Sequence, residues 1–196
     1  MARISLDPPH TVLIRIGEWY SRRVFGAGLD SGEAYAHHAR VLLATARFER
    51  GAARWNRLDP TLKSLAVMAV AARIGCSRCP GFGYLESRGK GVPAVKVRNV
   101  PVWRDHDEVY TDLELLVMEY AEAMTETPPA VTDEMTQCLI ADLGEPAFVE
   151  LTATIAVENL RSRMNSAFGL VGQGLFKGWS KEDRCEIPLR RVASEA

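Results

Sequence analysis

The sequence predicts an all-α fold of about eight helices joined by short turns. Apolar residues recur at three- and four-residue spacing between proline and glycine breakers, and the one valine-rich run that could be a strand has no partner strand elsewhere. A shift of 86 positions also superposes two proline-started apolar segments, Pro60 on Pro146, Leu62 on Phe148, Leu65 on Leu151, Ala69 on Ile155, Val70 on Ala156 and Ile74 on Leu160. Segments that repeat as helices argue for a helical bundle.

Taken in order, residues 1–10 carry Pro8 and Pro9 and read as an irregular lead-in. Leu13, Ile16, Tyr20 and Val24 then mark a helix that stops at Gly26 and Gly28. Asp30-Ser31-Gly32-Glu33 opens the next with a capping residue and an acidic first turn, and Tyr35, Ala39, Leu42, Leu43, Ala46 and Phe48 continue it as one helix. His37 and His38 lie on that run as solvated residues. Neighbours on a helix point about 100° apart, so at most one of them serves a given site.

After a turn over 51–57, Asp59-Pro60 starts a helix, because aspartate caps and proline fits the first helical position. Thr61 to Ile74 is apolar nearly all round, the pattern of a buried helix, and Gly75 suits its end. Ser77 opens another helix, reaching about Arg88. Val92–Val100 reads as a short helix opening at Pro93, or as coil, and 101–107 as loop. Thr111 to Met124 is amphipathic. Thr132-Asp133-Glu134 starts a further helix that Leu143-Gly144 stops, and from Ala147 the chain runs unbroken to Phe168. The whole reads as a single domain, 1–196, with a core over about 35–172 and a surface arm over 173–196 that Phe176 and Trp179 are expected to tie either to the core or to a neighbouring subunit.

Acidic and basic residues are interspersed at a net charge of −1, which excludes a nucleic-acid surface built on clustered basic residues. The polar N-terminus and the lack of a membrane-length apolar run point to a soluble, cytoplasmic protein. In a reducing compartment, the four cysteines argue against a disulfide framework and for use of the one close pair, Cys76-Ser77-Arg78-Cys79. Cys79 is expected in a first helical turn beside Arg78, both of which favour thiolate, and Cys76 supplies a resolving partner. Zinc needs about four ligands, and no second Cys/His pair accompanies this one. No cofactor is expected.

The stretch from Leu58-Asp59-Pro60 through Val67 into Gly75-Cys76-Ser77-Arg78-Cys79, with Val149-Glu150-Leu151-Thr152 running through Asn159, Asn165 and Gly169, resembles the carboxymuconolactone decarboxylase-like superfamily. Within it, the chain looks like the alkylhydroperoxidase D-like branch. The resemblance implies an all-helical fold, a homo-oligomer (trimer or hexamer), and reduction of hydroperoxides through a disulfide that cycles between Cys76 and Cys79. That branch carries C-x-x-C-x-x-x-H and an upstream relay glutamate. Here Gly83 stands at the histidine position and Ser64 at the glutamate position.

The leading expectation is a thiol-dependent oxidoreductase, a slow peroxidase or a disulfide reductase, in which Cys79 attacks, Cys76 resolves and an external dithiol regenerates the pair. Two alternatives stand beside it. One is a lyase on a small carboxylated lactone, with Arg73, Arg78 and a histidine as candidate groups. The other is a non-catalytic helical oligomer. Neither His37 nor His106 is assignable as a replacement relay, and Glu150 is family-like only by the repeat register. No membrane or nucleic-acid partner is expected.

Overall fold

The computed structural model describes residues 29–75 and 91–170 continuously, and before them residues 2–9, 11, 14, 15, 17, 19, 22 and 23. Among these the fold is all-helical, without a strand: α1 Asp30–Ala36, α2 Ala39–Ala52, α3 Pro60–Ile74, α4 Ala94–Asn99, α5 Asp112–Thr125, α6 Asp133–Leu143 and α7 Glu145–Phe168. Ile14, Arg15, Gly17, Trp19, Arg22 and Arg23 are also helical. No helix among the described residues is long and apolar enough to cross a membrane.

Local chemistry sets most boundaries. Asp59 accepts hydrogen bonds from the Thr61 and Leu62 amides at 2.7 and 3.3 Å, with Pro60 in the first turn of α3. Thr111 and Glu114 close a reciprocal capping box on α5, and Thr132 caps α6 by accepting from Met135 N–H. At the far end of α3, Gly75 takes a left-handed conformation, φ +73°, and its N–H bonds back to the last turn. A Cβ there would meet nothing within 4 Å, so the backbone angle rather than space calls for glycine.

Two expectations are corrected. The helix expected to run unbroken from Asp30 past Phe48 is two, because His38 leaves helical geometry and caps α2, its Nδ1 accepting from Val41 N–H at 3.3 Å. The loop expected over 101–107 is instead two short 3-10 turns, Val100–Asp105 and Asp107–Val109. A buried Trp103 holds them, its Nε1–H donating to Glu122 at 2.9 Å while Arg104 lies over the indole and pairs with the same carboxylate. The run after Val92 resolves as helix α4, with Pro93 at its N-cap. The helix expected from Ser77 and the arm over 173–196 lie outside the described residues.

Residue contacts divide the chain into two units, 1–55 with 164–175, and 56–163 with 176–196. In the first, α7 ends in a glycine-terminated turn: Leu170 N–H donates to Asn165 O and Gly169 N–H to Ser166 O, with Gly169 at φ +66°. Arg3 donates to the Phe168 carbonyl through its amide, and its guanidinium reaches the Ser166 and Ala167 carbonyls. Tyr35 packs edge-on against Phe168.

The second unit holds the main core. Helix α3 buries residues on most of its circumference, Leu65, Ala66, Ala69 and Val70 nearly completely, and packs on α5 through Val117, Met118 and Ala121. Leu139 of α6 and Leu151 and Ile155 of α7 complete the cluster. The 86-residue register recurs in burial: Leu65 and Leu151, Ala69 and Ile155, and Ser64 and Glu150 are all buried. It fails at Val70 and Ala156, where the first is buried and the second exposed. Replacing Asp59 with alanine is expected to cost about 1 kcal/mol of stability, and with asparagine much less; urea denaturation midpoints of the two variants check the cap.

Candidate functional site

Helix α3 delivers the chain, through Gly75, to the Cys76-Ser77-Arg78-Cys79 motif, and Ile74 at its end packs against the core. Cys76, Ser77, Arg78, Cys79 and Gly83 lie outside the described residues. Ser64, which the sequence resemblance set against a relay glutamate, is buried on α3. Cys138, on α6, is exposed.

What the core offers to chemistry is on α7. Glu150, Thr154, Glu158 and Ser162 recur every fourth residue, so they stack on one face, and all four are buried. A buried carboxylate is costly unless charged or hydrogen-bonding partners compensate it, and the two glutamates meet that demand differently.

Glu150 is fully committed to structure. It forms an ion pair with Lys63 of α3 and accepts from Arg57 N–H at 2.6 Å. Burial pushes its carboxyl upward, but the Lys63 side chain and the Arg57 and Leu58 amides outweigh that and hold it below the ordinary carboxylate range. This glutamate ties the loop before α3 to α7 and is not a proton donor near neutrality.

Glu158 is 4% exposed and accepts from the hydroxyl of the fully buried Ser162 at 2.8 Å. Its second oxygen lies 3.4 Å from an Arg161 guanidinium nitrogen. A carboxylate bonded to a hydroxyl can pass a proton between them. Thr154, one turn before, has a buried hydroxyl with no hydrogen-bond partner among the described residues. Beside this row, Asn159 donates to Thr125 Oγ1 at 2.9 Å and Thr125 to Ala121 O at 2.7 Å, locking α7 to α5.

Hydrophobic periodicity misses Glu158 and Ser162, because α7 carries apolar residues all around. The legible signal is the four-residue spacing of polar side chains within that apolar run.

The other polar candidates are engaged elsewhere. Glu114 takes both oxygens to Lys96, at 2.7 and 2.6 Å, within the α5 capping box. Tyr110 donates to the Lys96 carbonyl, and burial, then the Glu114 charge, push its hydroxyl well above the usual phenol range. Arg73, a candidate for an anion pocket, is paired with Glu126. His106 is partly exposed, 3.8 Å from Glu108. In the first unit, His37 donates to Ser5 O and His38 is a helix cap, so both act structurally. Among the described residues, no group of three or more His, Cys, Asp or Glu is placed to hold a metal ion.

No family model matches the chain. Over 181 residues it is 30% identical to the uncharacterized protein YnjA of Escherichia coli (strain K12), covering 92% of this chain and 94% of that one. The debrominase Bmp8 shares its fold. A cysteine-to-alanine variant bound to 2,3,4-tribromopyrrole superposes with a TM-score of 0.72 at 17% identity, over 86% of this chain and 92% of that one. The apo form also gives 0.72 at 17% identity, over 84% and 88%.

Replacing Glu150 with glutamine is expected to cost about 3 kcal/mol near neutral pH, because the buried ion pair with Lys63 loses its carboxylate. The carboxyl is held low in the folded state, so its contribution is present above the ordinary range and is lost as pH falls through the folded value. Thermal melts of wild type and Glu150→Gln should therefore differ most above about pH 5 and converge in acid.

Proposed function

Because the chain belongs to one family with the uncharacterized Escherichia coli protein YnjA, a relationship that assigns no reaction, its chemistry rests on its own residues, and we propose a thiol-dependent oxidoreductase working through Cys76 and Cys79. In this reading it is a member of the carboxymuconolactone decarboxylase-like superfamily, alkylhydroperoxidase D-like branch. The observation that carries the reading is that the C-x-x-C follows directly on the left-handed end of α3, the most buried helix of a core that also buries the Glu158–Ser162 pair.

The Cys79 thiolate attacks the distal peroxide oxygen. The S–O bond forms, the O–O bond breaks, and the alkoxide leaves with a proton as the alcohol. The Cys76 thiolate then displaces the sulfenic oxygen, which leaves as water, and an external dithiol reduces the disulfide. Gly83 and Ser64 supply neither the imidazole nor the carboxylate of that relay. The buried Glu158–Ser162 pair is the candidate we put forward for the relay. A general acid–base role of this kind is worth about 10²–10⁴-fold.

A second reading rests on the fold shared with a debrominase. The same dithiol could replace bromine by hydrogen on an electron-rich ring: the pair gives two electrons, the ring carbon gains a proton, bromide leaves and the disulfide forms.

Hydroperoxide consumption with excess dithiol tests the first reading. Wild type turns over, Cys79→Ser abolishes turnover, Cys76→Ser stops it after one sulfenic event, and Glu158→Gln lowers it about 10²-fold or more while flattening its pH profile. A Cys76→Ser, Cys79→Ser double variant as active as wild type would refute it. Bromide release from 2,3,4-tribromopyrrole, without peroxide turnover, would select the second reading.

A further inference from the structure

Helix α7 buries a polar row and exposes an apolar stripe. Its polar row faces the core, while Val149, Ala153, Ala156 and Leu160 fall within about a 60° arc on the opposite side at 100° per residue. Val149 is 63% and Leu160 49% exposed, Ala156 is exposed and Ala153 half-buried. All four lie in one unit, 56–163.

The order along this stripe is large, small, small, large. It is therefore its own complement in antiparallel: a two-fold axis between Ala153 and Ala156 sets Val149 against the partner's Leu160 and Ala153 against the partner's Ala156. Two alanines at the centre let the helix backbones approach, and the larger side chains close each end. Charge agrees with this order. Glu145, exposed at the start of α7, has no ion-pair partner among the described residues. Arg163, also exposed, bonds only the uncharged Thr125 carbonyl and Asn159 side-chain oxygen there. Antiparallel pairing brings Glu145 beside the partner's Arg163 at both ends, whereas parallel pairing would face like against like.

We propose that this outer face of α7 packs on a second copy of the chain, helix against helix in antiparallel, as an isologous interface. The inference stands independently of the thiol chemistry.

Molar mass by light scattering and sedimentation tests it. Wild type should be an even multiple of 21.7 kDa. Val149→Glu alone and Leu160→Lys alone should each halve the mass. Combining both in one chain, or mixing the two single-variant proteins, should restore it, because position 149 meets position 160 only in antiparallel. A monomeric wild type, single variants of unchanged mass, or failure of both rescues would overturn the proposal. Should a stripe variant fail to fold, Glu145→Lys and Arg163→Glu ask the same question from the rim: each alone lowers the mass and together they recover it, or the pairing is wrong.

Discussion

The constraint on which the rest depends is that α7 carries two carboxylates into an apolar core. Each must be compensated where it lies, and the compensation organises its surroundings. Glu150 draws Lys63 and the Arg57 amide to it, fixing the approach to α3 from the loop before it. Glu158 holds Ser162. Beside these polar groups the helix also buries Ala147, Leu151, Ile155 and Val157, while Val149, Ala156 and Leu160 are left outside.

The two buried pairs of this core illustrate how saturation separates structure from chemistry. In Lys63–Glu150 and Lys96–Glu114 the carboxylate meets an ammonium and a backbone amide, and each pair holds elements together. Glu158 accepts from the Ser162 hydroxyl and also lies 3.4 Å from the Arg161 guanidinium of its own helix. In the proposed thiol chemistry it is the buried carboxyl to test as a relay, since the positions set by the resemblance hold Ser64 and Gly83.

Helix boundaries were legible where capping chemistry is local. Asp59-Pro60, Gly75, Thr111, Thr132 and Gly144 act through hydrogen bonds within a few residues, which any reading of the chain can anticipate. The break at His37–His38 was not, because an imidazole does the work usually done by serine or aspartate. Nor were the 3-10 turns after Val100, held by Trp103 reaching a glutamate 19 positions away. The repeat correctly placed the buried positions Leu151 and Ile155, but its register does not carry over at Ala156, which is exposed where Val70 is buried. Hydropathy alone cannot see a helix that turns its polar side to the core. The thiols were legible as a motif, and the buried acid was not.

The central claim is that Cys76 and Cys79 form one redox unit. Intact-mass analysis and peptide mapping after one equivalent of hydroperoxide address it most directly. The account predicts a mass lower by two hydrogens and a peptide linked Cys76 to Cys79, reversed by dithiol; oxygen adducts on separate cysteines, or oxidation confined to Cys138, would contradict it.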